Sequence, residues 1–239
     1  EEMGKHHAEH VNKMMLEDVT TPAGNDFESL DRVTADSTKL TVASGSVDSL
    51  TDHDMYSITR DGSAAFHSAE CDIGGDGSGT SVNRNLSLNQ LDGLFQQIWV
   101  RGGNPKVILT GYDTLMRTQQ LLQSQQRFMD SKRITPTYSG VKGVPGIEAG
   151  FIVATYNGVP IIPTKDMGDE GAGSLSRAYY LDTDYLWFQT AIPTQYFESG
   201  IETGDPFAIN RLGQEGLYRT MGELWCSFFG ASGSIRDLQ

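Results

Sequence analysis

Residues 101–115 read RGGNPKVILTGYDTL. A glycine pair that suits a helix end is followed by the apolar run Val107-Ile108-Leu109, then by Thr110 and Asp113, residue types that suit a helix start. A strand feeding a helix N-terminus is how many nucleotide-binding enzymes turn backbone N–H groups toward an anion. That chemistry needs glycines after the strand, where the backbone must approach a phosphate. Here Gly102 and Gly103 come before it, and Gly111 is followed by the bulky Tyr112. Neither GxGxxG nor GxxxxGKS/T occurs in the chain. The stretch therefore reads as scaffold, a strand over 106–109 between two helices.

The flanking residues support that reading. Ser87 and Gln90 have the spacing of a capping box, and Leu91, Leu94, Phe95 and Ile98 follow at helical spacing up to Gly102-Gly103. Thr110 with Asp113 is expected to cap a second helix from Tyr112 to about Met129, with Leu115, Met116, Leu122 and Met129 inward. Gln119, Gln120, Gln123, Gln125 and Gln126 would line its outer side. Further along, FIVATYNGVPIIPT (151–164) is two β runs joined by Asn157-Gly158, the pair whose positive φ angles a type I′ hairpin requires. AYYL (178–181), LWFQT (186–190) and the run from Gly216 to Phe229 add strands, with Gly222 expected at a bulge.

The N-terminal third is less regular. Residues 2–18 suggest a helix with Met3, His7, Val11, Met14 and Met15 on one side, ended by Pro22 and Gly24. Residues 25–85 are rich in Asp, Ser, Thr and Gly, with β-like runs at 39–44 and 54–59 and a flexible loop at 72–81. The chain opens on Glu1-Glu2 with no cap before its first helix, and an upstream segment is expected. The fold class expected is α+β, two helices and a mixed sheet in the middle with β arms on both sides.

Composition narrows the function classes. At 239 residues the chain can bury roughly 70–75 % of its unfolded surface. No apolar run approaches the ~18 residues of a membrane-spanning helix, so no membrane partner is expected. The net charge of −13 and the scattered basic residues, with Lys132-Arg133 the adjacent pair, argue against a sequence-specific nucleic-acid surface.

No catalytic, cofactor-binding or metal residue is assigned. His6 and His10 sit four apart with Glu9 between, and His7 with His10 is the alternative pair, but such a run more often marks an exposed helix face. Asp72 and Asp76 beside glycines lack the alternating ligands and closing Glu of a calcium loop. His53 and His67 have no partner that sequence can name. Cys71 and Cys226 match no metal or redox spacing and read as two buried thiols. Serine lacks a GxSxG elbow, and Glu1-Glu2 and Asp169-Glu170 lie in polar stretches suited to a hydrated surface.

In order, the helix ending in glycines, GGNPKVILTGYDTL, the polar helix, FIVATYNGVPIIPTKDM, AYYLDTDYLWFQ and GLYRTMGELWCSFFGASGSIRDL resemble the major capsid proteins of tailed viruses. These have the Hong Kong 97-type capsid fold, which encapsulins share. The resemblance covers roughly residues 1–20 and 86–239. It implies a peripheral domain over 1–85 with a long N-terminal spine helix, an axial domain over 86–190, and a return to the peripheral domain over 191–239. It further implies a structural, non-enzymatic subunit without cofactors that self-assembles, as pentamers and hexamers, into an icosahedral shell around viral DNA. Scaffold, cement and portal proteins would be its other partners, and the virion its location. An encapsulin-like compartment is the near alternative. An α/β enzyme using strand 106–109 with Thr110 or Asp113, and a secreted β-rich binding module, are the alternatives of other classes.

Overall fold

The computed structural model describes residues 2–16, 27–34, 55–56, 69–72, 84–124, 130–134, 151–167, 176–200, 214–236 and 238. The elements run α1 (Glu2–Leu16), α2 (Leu30–Val33), β1 (Glu70–Asp72), α3 (Leu88–Val100), β2 (Val107–Thr110), α4 (Tyr112–Ser124), β3 (Asp130–Ile134), β4 (Phe151–Tyr156), β5 (Val159–Pro163), β6 (Ala178–Leu181), β7 (Leu186–Gly200), β8 (Gln214–Cys226) and β9 (Gly233–Ile235). Two sheets result. A seven-stranded mixed sheet has the order β1-β9-β6-β2-β5-β4-β3, and β7 pairs with β8 as a separate ribbon. In the large sheet β1 runs parallel to β9 and β2 parallel to β5, and the other neighbours are antiparallel.

The central strands are apolar on both faces because both faces are covered. On one, Ile108, Ala178, Tyr180, Ile161 and Ile235 meet Leu91, Leu94 and Ile98 of α3 and Leu115 and Leu122 of α4. On the other, Tyr179 and Leu181 meet Leu16, Leu30, Val33, Met55, Met167, Leu224, Cys226 and Phe229. Successive residues of β6 thus serve different cores, as the two-residue period of a strand requires.

Local signals set the frame. The Ser87 N–H donates to Gln90 Oε1 at 2.9 Å, the Gln half of the capping box. Asn157 and Gly158 have φ of 50° and 80°, and Tyr156 pairs with Val159 across the turn.

Several expectations need correction. Thr110 does not cap α4: its hydroxyl donates to the Arg177 carbonyl at 2.8 Å, across to the neighbouring strand. Met116 is 46 % exposed, and the small Thr114 and Thr118 take the inward positions where α4 approaches the sheet. On α1, Met3 is exposed and Gly4 faces the ribbon instead. The β run at 186–190 extends to Gly200, and the final run starts at Gln214. The ribbon's irregularities fall between Thr190 and Ile192 and between Ile192 and Gln195, so the extra residues belong to β7. Gly222 stands opposite the first of these, on the regular strand. A short helix, α2, lies in the segment read as loop and strand.

The large sheet draws β1 and β9 from outside 86–190, next to strands from within it. Expectations for 39–44, 57–59, 73–81 and Met129, and those for His53, His67, Asp76, Asp169 and Glu170, lie outside the described residues.

Candidate assembly surface

Where a strand–helix enzyme would seat an anion, this chain seats its own Ser176. The Gly111 N–H donates to Ser176 Oγ at 2.8 Å, and Ser176 in turn donates to Asp113 through Oγ (2.6 Å) and N–H (2.7 Å). The Thr114 hydroxyl closes the clamp on the Ser176 carbonyl at 2.8 Å. A Cβ on Gly111 would lie 2.1 Å from Ser176 Oγ, so nothing larger than hydrogen fits there. The Gly111 N–H ahead of α4 and the side chains of Asp113 and Thr114 in its first turn thus tie α4 to Ser176, next to β6.

The other sequence candidates are dispersed. His6 is exposed and 3.9 Å from Glu9, whereas His7 turns inward, bonding Thr220 Oγ1 at 2.8 Å and stacking on Tyr218. Glu9 is held below the usual carboxylate range by a hydrogen bond from Lys165 (2.8 Å), and the same contact raises Lys165. Asp72 pairs with Arg84 at 2.9 Å. Cys226 is a buried thiol in the second core; Cys71 lies in β1. No group of three metal-binding side chains occurs among the described residues.

The ribbon carries the larger surface feature. Alternate residues of β8 face opposite ways. Tyr218, Thr220, Leu224 and Cys226 point to the covered side, where Gly4 and His7 of α1 lie on Tyr218 and Thr220, and Phe27 meets Phe188 edge-on at 5.1 Å. On the opposite side the cross-strand pairs are Trp187–Trp225, Ile192–Met221 and Phe197–Leu217. Of these, Trp187, Trp225, Met221, Phe197 and Leu217 are 41–61 % exposed. At ~200 Å² for a large side chain, they leave on the order of 500 Å² of apolar surface bare. That is near the top of the ~300–600 Å² largest patch of typical monomers and more than half of the ~800 Å² per partner of a standard interface.

Polar rungs interrupt the stripe. Gln195–Arg219 is exposed, with Arg219 Nη2 2.7 Å from Met221 Sδ. Glu223 is spent internally, accepting from the backbone of Glu28 at 2.7 Å and Leu224 at 2.9 Å. At the ribbon base Tyr56 stacks on Trp225 at 5.0 Å, and burial, followed by nearby Cys226, pushes its phenol above the usual range. Sequence reasoning recognised the start of β7 and most of β8 but not this face, because the strand read at 186–190 stops short of Phe197 and only the register places Phe197 beside Leu217.

No protein family and no curated protein matches the chain. Among solved structures it is similar to a chain of the holo-SrpI encapsulin complex from Synechococcus elongatus PCC 7942, seen by cryo-EM. The TM-score is 0.45 and the identity 12 %, over 80 % of this chain and 56 % of that one.

Proposed function

We propose that this chain is a structural, shell-forming protein of the Hong Kong 97-type fold, whose copies build an icosahedral container for viral DNA. The observation that carries this reading is the bare apolar face of the β7–β8 ribbon, near the top of what typical monomers expose and regular in its rungs. A second copy of the chain is its proposed occupant, because closed shells repeat one modest contact by symmetry. The order of sequence segments supports the same reading. In it, α1 is the spine helix, residues 1–85 and 191–239 form the peripheral domain, and 86–190 form the axial domain. Pentamers and hexamers of the chain, with scaffold, cement and portal proteins, make up the virion shell. Ser176 filling the start of α4 supports a non-enzymatic role, since it occupies the anion position an enzyme would use. No helix among the described residues is long and apolar enough to cross a membrane.

The test is the particle formed by the full-length protein in its native source, by negative-stain microscopy with light scattering. Closed shells tens of nanometres across are expected, with nuclease-protected DNA inside. Shells holding a cargo protein instead of DNA would move the assignment to an encapsulin-like compartment. A monomer or dimer under every salt condition would refute shell formation.

A further inference from the structure

We propose that the second copy on the bare ribbon face sits across a two-fold axis, which runs across the strands over the Ile192–Met221 rung. The arrangement rests on the shell-forming reading proposed above and adds how two copies meet. The pattern that carries it lies on β8, the regular strand of the ribbon. Its outward residues are Leu217, Arg219, Met221, Glu223 and Trp225. Reversed, the row matches itself. Met221 is its own counterpart, apolar Leu217 meets apolar Trp225, and cationic Arg219 meets anionic Glu223. On β7 the same reversal sets Phe197 over Trp187 and Gln195 over Gln189, as the register requires.

Charge points to the same face. The chain carries −13, and a large net charge keeps copies apart. From Trp187 to Phe197 there is no charged residue, and from Leu217 to Trp225 Arg219 and Glu223 cancel. The face is thus neutral on an acidic subunit, a place where two copies meet without repulsion. Arg219 is exposed, with Nη2 on the weak acceptor Met221 Sδ at 2.7 Å. Glu223 takes both of its backbone hydrogen bonds on Oε1, which leaves Oε2 for a guanidinium. Each face leaves on the order of 500 Å² of apolar surface bare, so two bring together about 1,000 Å², the size a specific interface must clear. Charge also fixes the axis. Moving it to either neighbouring rung stacks Arg219 on Arg219 or Glu223 on Glu223. A two-fold along the strands sets Arg219 over Gln195 and Glu223 over Gln189, with no opposite charges paired. An isologous contact closes on two copies, so this one joins one ring of the shell to the next and leaves contacts within rings to other surfaces.

Packed sheets lie ~10 Å apart, beyond the reach of a disulfide. The test therefore treats shells of the full-length protein carrying Met221→Cys or Leu217→Cys with a short bis-maleimide, the unsubstituted protein serving as the blank for Cys71 and Cys226. Met221→Cys thiols meet on the axis, whereas Leu217→Cys thiols stand about 26 Å apart, eight residues at ~3.3 Å each along the strands. A covalent dimer is expected from Met221→Cys, and no more than the blank from Leu217→Cys. A second readout needs no thiol. Arg219→Glu sets two carboxylates together at each end of the contact, so light scattering should show rings in place of shells. Shells in which Met221→Cys gives no dimer, or Leu217→Cys cross-links as readily, overturn the two-fold contact and leave the shell reading standing, as do shells at the wild-type level in Arg219→Glu. No shells from the unsubstituted protein overturns both.

Discussion

Replacing Asp31 tests how the large sheet is tied to the N-terminal segment. Asp31 begins as an ordinary polar residue of a four-residue helix, yet its side chain is 5 % exposed. Its Oδ1 accepts from Arg177 Nη1 at 3.0 Å and Tyr179 OH at 3.2 Å, and it pairs with Arg236, whose Nη2 also reaches the Asp31 carbonyl at 3.2 Å. The side chains of Arg177 and Arg236 are 14 % and 4 % exposed. Asp31→Ala therefore takes the carboxylate from two guanidinium groups that lie away from water. Breaking a buried pair in this way costs about 3–5 kcal/mol. In a chain of 239 residues each kcal/mol moves the melting point by ~2–4 °C, so a fall of roughly 6–20 °C is expected. The assay is circular-dichroism melting of the unassembled subunit, since association would add its own concentration-dependent term. Asp31→Asn, which keeps the shape and one acceptor, should fall between Ala and wild type. An Asp31→Leu/Arg177→Leu/Arg236→Leu triple variant, which removes the carboxylate together with both guanidinium groups, should recover much of the loss, because apolar replacement of a buried ionic cluster is often neutral. A loss under ~1 kcal/mol for Asp31→Ala, the median worth of a surface pair, would refute the claim that this cluster is desolvated.

Other consequences are more local. Leu217→Glu puts a charge on the bare ribbon face. It should abolish shells in light scattering while shifting the subunit's own stability by no more than ~0.5 kcal/mol, as for other surface changes; unchanged assembly would remove that face from the contact. Gly111→Ala forces a methyl into the Ser176–Asp113 clamp, with an expected cost of about 1–3 kcal/mol read from urea midpoints. For Glu9 the folded pKa is lowered from 4.5. Its contribution to docking α1 is therefore present above that value and lost as pH falls through the folded one. Because Glu9 and Lys165 are exposed, at 55 % and 70 %, it should also fade with salt. Hydrogen-exchange protection of α1 in wild type and Lys165→Gln should converge at acid pH, and a constant gap would sink this assignment.

The legible parts of the fold are those in which cause and effect lie close in sequence. Ser87 and Gln90 are three residues apart, Asn157 and Gly158 adjacent, and the apolar run of β2 continuous; each fixes its element by local sterics and hydrogen bonding. The misreadings involve partners far away. Asp113 looked like a cap because capping is the local use of Asp, whereas its partner Ser176 is 63 residues on. Asp31 drew no notice within the polar 25–85 segment because its cations are 146 and 205 residues away. The β1–β9 pairing joins a three-residue run in a Gly-rich stretch to one near the C-terminus, too short for periodicity to mark. Met116 and Thr114 exchanged roles because hydrophobicity was read without the close approach of α4 to Ser176, which leaves room only for small side chains.

The ribbon shows why the surface feature needed register as well as composition. A two-stranded ribbon alone is marginal in water, and α1 covers only one of its faces. Covering that face sets two geometric conditions. Ring atoms of Phe188 and Tyr196 would lie 2.6 Å and, through the Tyr196 hydroxyl, 2.5 Å from a Cβ on Gly222 and Gly216, so both rings cross the partner strand only because it carries glycine there. The extra residues of β7 between Thr190 and Gln195 then take up the mismatch in strand length. Fixing these contacts leaves no freedom on the reverse side: with Tyr196 opposite Tyr218, the next rung must place Phe197 beside Leu217 facing out. A one-residue slip would reverse every side chain, burying Leu217 against α1 and exposing Tyr218. The bare stripe is therefore locked by the packed one, and any partner meets the same rungs in every copy. That constancy is what a contact repeated around a closed shell requires.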